Sequence, residues 1–405
     1  MGTEDTGYRH VVRIPGAIRA FAPTLVSKLS FAMVSLAMLL LVQAEQHSFL
    51  VAGLATGAFG VANVASAPTR ARLVDRWGQR RTLNALAIGY AVLLIAFVAV
   101  TVAGSPAAVI VVTAALAGLF PPPIGAAMRV IWARLSPSDS HKTRAYGLDA
   151  VAEELVFTVG PVGVAGLAVL WSPAAAVLSA AALALVGTVG MTSSAGSRGV
   201  AATVPARRAR RTLGALAAPG MAPMLLVLVA VGAILGSVEI LAAAFADDLG
   251  NPDLAGLLLA TFAAGSAAGG LVYGGTSWPG TAAHRLLILG VAMTLACGGL
   301  LLISDSPAVA IALVAVGLFL APAMITGYLL ADDLTTAAER TEASAWVNTA
   351  VNAGAALSVA GIGLLIDQAG VQTAVLVTTA TAGLCILAAA PFLLFRAPIS
   401  TAEAL

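Results

Sequence analysis

Charge is scarce in this chain. Only 10% of the 405 residues are Asp, Glu, Lys or Arg while 60% are hydrophobic, and so little polar surface excludes a water-soluble globule. Cysteine is nearly absent: Cys297 and Cys385 both fall inside apolar runs, which excludes a disulfide framework and offers no metal-ligand spacing. Of the four histidines, His10, His141 and His284 sit in polar connections on one side and His47 at the opposite rim, so none is a mid-membrane proton carrier. There is no Gly-x-x-x-x-Gly-Lys-Ser/Thr segment, and ATP hydrolysis is therefore not the expected energy source. The apolar runs hold no metal-ligand cluster and no Ser-His pairing, so neither an enzyme nor a bound cofactor or metal is expected. A formal net charge of +2, its cations spread over many short connections, gives no reason to expect nucleic acid as a partner. The first 20 residues carry Glu4, Asp5, Arg9, Arg13 and Arg19 but no apolar core followed by a cleavage site, which predicts a polar lead-in rather than a removable signal peptide.

What the chain has in abundance is apolar sequence. Runs of about 20 residues or more recur along its length, each long enough to cross a ~30 Å hydrocarbon core as a helix. Hydropathy and turn residues predict twelve spans, at about 22–43, 49–70, 82–103, 107–133, 146–170, 173–192, 221–246, 254–276, 284–303, 307–330, 343–367 and 372–395. Threaded back and forth, these leave all 21 Lys and Arg on one face, Lys28 being counted with the lead-in before the first span. The opposite connections hold Glu45, Asp247, Asp248, Asp253, Asp305 and Asp367 but no cation. Because cytoplasmic loops collect Lys and Arg, this asymmetry predicts a multi-pass protein of the inner (plasma) membrane with both termini cytoplasmic.

One long connection divides the chain. Residues 1–192 are expected to form one six-helix bundle, 193–220 a cytoplasmic linker, and 221–405 a second bundle. The linker is rich in Gly, Ser, Ala and Arg, including Arg207, Arg208, Arg210 and Arg211, and reads as a flexible tether or as a short piece lying on the anionic inner leaflet. A faint repeat pairs Leu73-Val74-Asp75 with Leu271-Val272-Tyr273, each followed by a Gly-containing, Arg-bearing loop, as parallel halves would.

The strongest local signature runs from Ala71 to Leu83, Ala-Arg-Leu-Val-Asp-Arg-Trp-Gly-Gln-Arg-Arg-Thr-Leu, between the second and third spans. It resembles the loop motif of the major facilitator superfamily, G-x-L-a-D-r-x-G-r-r-x-x-l. Leu73, Asp75, Arg76, Gly78, Arg80, Arg81 and Leu83 match; Ala71 replaces the first Gly and Gln79 a basic position. The resemblance implies an all-α fold of two pseudo-symmetric six-helix bundles and a central cavity lined by spans 1, 4, 7 and 10. It also implies a cytoplasmic gate in which Asp75, Arg76, Gly78 and Arg81 stabilise one state through charge-assisted bonds. Gly160-Pro161 is similar to the core of the helix-5 motif of drug:proton antiporters, although Val156, Val164 and Ala165 stand where that motif has Gly. A Gly-Pro pair also serves as a kink and close-packing point in membrane helices. The Arg of the corresponding helix-4 motif is absent: Leu119 occupies its place, and Pro121, Pro122 and Pro123 fill the middle of the span.

Ionisable residues inside spans are costly and so are functional candidates. Glu239 follows Gly232 and Gly236 at i+7 and i+3, a carboxylate on the same helix face as a small-residue stripe. Arg129 and Glu153 should lie at similar depth on two antiparallel neighbours and pair, leaving Glu154 for a proton, while Asp149 is expected to be solvated. Asn348 and Asn352 share a face and are expected to hydrogen-bond to another helix or to line the cavity, and Asn63 reads as an interhelical donor. Thr326 and Tyr328, beside Pro322, are candidate cavity residues. Met33 and Met38 read as core or lipid-facing.

Together these features predict a monomeric secondary transporter whose partners are a small-molecule substrate, protons and the lipid bilayer. Proton-coupled efflux of an apolar or cationic organic molecule is the leading expectation. A metabolite symporter and a transport-inactive sensor are the alternatives.

Overall fold

Among the described residues every element is helical, which lets each segment satisfy its own backbone where lipid offers no hydrogen bonds. The computed structural model describes residues 8–198, 214–248, 254–303 and 306–394. The helices in order are α1 (Tyr8–Arg13), α2 (Ala17–Gln46), α3 (Phe49–Trp77), α4 (Gln79–Val102), α5 (Ala107–Gly118), α6 (Ile124–Leu135), α7 (Asp139–Leu170), α8 (Pro173–Ser193) and α9 (Ala195–Arg198). They are followed by α10 (Met221–Asp248), α11 (Leu254–Gly275), α12 (Ala282–Gly299), α13 (Ser306–Leu334) and α14 (Arg340–Leu394). Where the connections are described most are short, and the chain marks four of the starts chemically. Ser48, Ser138, Ser172 and Thr281 each accept a hydrogen bond from the backbone N–H three residues on, satisfying a donor that the helix leaves open. Between α3 and α4 the break is Gly78, whose φ of 85° lies in the region that side-chain-bearing residues avoid.

Ten of the described helices are long and apolar enough to cross a membrane. One departure from the expected series has a physical cause. The predicted span 107–133 is split into α5 and α6, because Pro121, Pro122 and Pro123 have no N–H to give to the preceding turn. Side chains serve carbonyls at the break: Ser66 reaches Gly118 O at 3.5 Å, and the Arg70 guanidinium donates to Pro121 O. Arg70 also donates to the backbone and side-chain oxygens of Asn63, at 2.8 and 2.7 Å. Arg70 is thus a buried structural cation rather than a loop charge, and Asn63 serves it within the same helix instead of bridging to another. At the other end of the chain, the stretch labelled α14 is two helices that meet at Gly370, whose φ of 81° and ψ of 170° are non-helical, so a break falls where the turn between spans 343–367 and 372–395 is expected.

The chain forms two compact units. The first comprises residues 1–212 with Gly274–Thr276 and Thr336–Thr349; the second comprises Leu213–Tyr273, Ser277–Thr335 and Ala350–Leu405. In the first, Met33, Val34, Ala37, Met38 and Leu41 of α2 pack with Tyr90, Leu94 and Phe97 of α4 and with Ala176, Val177, Ala180 and Ala184 of α8. Helix approach here depends on small residues. A Cβ on Gly190 would stand 2.9 Å from Pro23, and one on Gly160 would stand 2.6 Å from the Cβ of Ala32. The opposite face of α4 presents Ile88, Val92 and Ile95, an exposed apolar stripe at helical spacing suited to lipid.

In the second unit α10 packs against α12 and α13, and its glycines meet the first part of α14. Gly232 and Gly236 face the backbones of Val351 and Ala355, while Gly354 faces Val229 in return. The small-residue stripe on α10 is therefore a helix-packing surface. Above it Ser237 is hydrogen-bonded to Ser358 at 2.5 Å and to Thr378 at 3.0 Å.

Candidate functional site

Three helices of the first unit bring four charged side chains together. The helical repeat puts Asp149 and Glu153 of α7 one turn apart on a single face. Lys28 of α2 donates to both, at 2.8 Å to Asp149 Oδ1 and 2.9 Å to Glu153 Oε2. Arg129 of α6 approaches the same two carboxylates more loosely, at 3.6 Å from Asp149 Oδ2 and 3.5 Å from Glu153 Oε2. Gly125, one turn before Arg129, lies against both cations: a Cβ there would stand 3.5 Å from Lys28 Cε and 3.8 Å from the Arg129 guanidinium.

Two cations and two anions make the quartet neutral, the condition under which charges survive away from water. Its members are unequally sealed. The side chains of Lys28, Arg129 and Asp149 are 7%, 3% and 2% exposed, whereas Glu153 is 33% exposed. Glu153 is accordingly the most accessible member of the four. A proton bound there would turn a neutral group into one of net charge +1, with two cations facing one remaining anion.

The sequence pairs Arg129 with Glu153, and the structure brings them together at 3.5 Å, although Glu153 lies closer still to Lys28, at 2.9 Å. Lys28, counted as a lead-in cation, lies inside α2. Asp149, expected to be solvated, is among the most sealed charges in the unit. Its burial follows from Lys28, which needs an anion at that depth. Glu154 is half-buried, and its backbone carbonyl accepts the Thr158 hydroxyl at 2.9 Å.

A second charged cluster lies in the loop motif. The carboxylate of Asp75, near the end of α3, accepts from the backbone N–H of Glu342 at 3.0 Å and from Thr341, so it caps the start of α14. Arg72, one turn before Asp75, pairs with Glu342 at 2.8 Å, and Trp346 Nε1 donates to Glu342 at 3.2 Å. The cation in this contact is therefore Arg72. Arg76, Arg80 and Arg81 are exposed, and no ion pair to them occurs among the described residues. Gln79, the departure from the motif, is buried and bridges Ala127 O at 3.0 Å and the Ser197 hydroxyl at 3.1 Å. Removing the cation from a buried carboxylate typically costs about 1–3 kcal/mol. Arg72→Ala should therefore raise hydrogen exchange across residues 336–349 by about tenfold or more. Unchanged exchange would mean that the pair does not hold this segment.

The other predicted residues divide by setting. Gly160 is buried against Ala32 and Pro161 is exposed within an unbroken α7. Thr326 is fully buried, hydrogen-bonded to the carbonyl of Pro322 at 2.7 Å and to the Tyr273 hydroxyl at 2.8 Å, and Tyr328 is buried in the same helix. Asn348 is half-buried and Asn352 exposed. Glu239 lies in α10 one turn past Gly236; its side chain is outside the described residues, as are the arginines at 207–211 of the linker.

Comparison with known proteins adds family and fold. The family model of the Major Facilitator Superfamily matches residues 21–244 and, a second time, 224–404. By sequence, no curated protein gives a significant match. Among solved structures, the human organic anion transporter MFSD10 (TETRAN) is similar with TM-score 0.71 and 15% identity, covering 94% of this chain and 99% of that one. A bacterial homologue of the iron transporter ferroportin in an outward-facing state gives TM-score 0.69 and 14% identity over 93% and 99%. The E. coli fucose:proton symporter FucP gives 0.70 and 13% over 94% and 98%.

Proposed function

Because this chain belongs to the major facilitator superfamily, a family of transporters and not of enzymes, we propose that it is a proton-coupled secondary transporter exporting a small apolar or cationic organic molecule by alternating access. The observation that carries this reading is the buried quartet. Glu153 is its one substantially exposed member, and protonation there sets two cations against a single anion. A positively charged substrate and a proton would then compete for the same carboxylate, which is the requirement for exchange. Glu239 is a second candidate for the proton. The contact of Arg72 and Asp75 with the start of α14 serves as the gate in this scheme, with Arg76, Gly78 and Arg81 in the same loop.

The test uses ethidium as a probe cation. Vesicles carrying the protein with an acidic lumen should accumulate ethidium, and nigericin should abolish the accumulation. Accumulation no greater than in protein-free vesicles would remove cation export from consideration.

Twelve crossings are proposed, with both termini cytoplasmic in the inner membrane of a monomer. The ten long helices supply most of them. The others are α5 with α6, whose twelve-residue pieces together approach a span, and the part of α14 before Gly370. A cysteine replacing Ser105 should then be labelled by an impermeant thiol reagent from outside intact cells, and labelling only after lysis would overturn the orientation.

A second reading, symport of a metabolite, has one specific support: Lys28 and Arg129 are sealed cations that would also suit an anionic group. One similar structure is named as a fucose:proton symporter, and another as an organic anion transporter.

A further inference from the structure

On the surface of the first unit, two pockets adjoin through shared walls. The first, about 390 Å³, is lined by Trp77, Gly78, Gln79, Arg80, Arg81, Ser197 and Arg198. The second, about 360 Å³, is lined by Leu73, Trp77, Arg81, Thr82, Ala85, Leu86 and Phe120. Trp77 and Arg81 belong to both. One chamber therefore carries three guanidinium groups, and the other is mostly apolar apart from Arg81 and Thr82.

The polar chamber lies at the start of α4, a 24-residue helix whose first position follows Gly78 with no side chain capping it. Gln79, the residue best placed to offer a competing group, is turned inward to Ala127 and Ser197. The positive end of α4 and three cations consequently share one opening, an arrangement that favours an anion carrying several acceptor oxygens. Arg80, Arg81 and Arg198 come from two separate helices, so more than sequence proximity gathers them. Ala85 and Phe120 line the apolar chamber, and one turn on from Ala85 α4 presents the exposed Ile88, on a face suited to hydrocarbon. Trp77, 55% exposed between the chambers, has the amphipathic ring that prefers the boundary between headgroup and acyl chain.

A free phosphate would satisfy the arginines but leave the apolar chamber unused; a zwitterionic lipid would bring its own cation to three others. We propose that this composite pocket binds one anionic glycerophospholipid of the inner leaflet, its phosphate among Arg80, Arg81 and Arg198 and an acyl chain along Leu73, Ala85 and Phe120. Basic pockets facing the cytoplasmic leaflet bind acidic headgroups in this way. The bound lipid would brace the loop between α3 and α4, where Asp75 and Arg72 hold α14. The inference rests on the chain being a membrane protein and on the placement of these residues, not on what it transports.

Native mass spectrometry of the full chain, released from micelles doped with phosphatidylglycerol, phosphatidylcholine or inorganic phosphate, tests it. One phosphatidylglycerol adduct should persist at collision energies that strip phosphatidylcholine, and inorganic phosphate at tenfold excess should not displace it. The double substitution Arg80→Gln/Arg198→Gln, at two exposed positions that leave the fold intact, should reduce the adduct at least tenfold. Ala85→Trp, which fills the apolar chamber, should reduce it while leaving all three arginines in place. Equal retention of the two lipids, displacement by phosphate, or an adduct insensitive to both variants would overturn the proposal.

Discussion

Replacing Lys28 by methionine is expected to lower the unfolding free energy by about 3–5 kcal/mol, the usual consequence of removing one member of a buried charge cluster. The reason lies in the distances. Lys28 holds Asp149 at 2.8 Å and Glu153 at 2.9 Å, whereas Arg129 stands 3.6 and 3.5 Å away. Without the lysine two carboxylates one turn apart would share a single cation, and Asp149, 2% exposed, has no route to water. The double substitution Lys28→Met/Asp149→Asn restores the charge balance, leaving Arg129 with Glu153, and should recover most of the loss. Equilibrium unfolding of the two variants in lipid–detergent bicelles checks this. A single variant within about 1 kcal/mol of the parent, or a double variant no better than the single, would show that the quartet is not a coupled unit.

Glu153→Gln should act on function rather than on folding. Its side chain is one-third exposed, so the amide keeps water within reach and the fold is expected to survive. What disappears is the group that takes up the proton. Proton flux driven by a substrate gradient should fall by at least about 100-fold, a loss of roughly 2.7 kcal/mol or more in coupling, while exchange of labelled for unlabelled substrate continues. Lys28→Met, by contrast, should lose both activities. A Glu153→Gln protein with undiminished proton flux would move the coupling elsewhere, and Glu239→Gln would then be the decisive variant.

Membrane helices were legible in the sequence because lipid imposes a single requirement, a long apolar run, on each of them. One break was harder to place. Pro121, Pro122 and Pro123 stood inside one hydropathy peak, yet their missing N–H groups divide it into α5 and α6. The break expected between 367 and 372 is there, at Gly370. Hydropathy averages over some twenty residues and so registers composition, whereas the proline break depends on single backbone groups.

The site was read in part for a similar reason. Arg129 and Glu153 stood out because each interrupts an apolar stretch. Lys28 did not, since it lies close enough to Arg9, Arg13 and Arg19 to pass for another cation at the membrane edge. A tally of charges by side cannot tell a cation outside the bilayer from one drawn in by a carboxylate on a neighbouring helix. Nor did Arg70 stand out, although the proline break beside α3 creates the need for a buried donor. Asp149 could have been found from Lys28, as a sealed cation demands an anion at its own depth. In the loop motif, Asp75 was recognisable from its pattern. The choice of Arg72 over Arg76 was not, because Arg72 lies one turn before Asp75 on α3 and its partner Glu342 is more than 250 residues away in sequence.

One measurement bears most directly on proton coupling through Glu153. Proteoliposomes are loaded with a pH-sensitive dye, clamped electrically with potassium and valinomycin, and given ethidium outside with no imposed pH gradient. Exchange predicts that the lumen becomes alkaline as the cation enters and protons leave, and that Glu153→Gln abolishes the signal. Acidification of the lumen, or a response that Glu153→Gln leaves intact, would contradict the account.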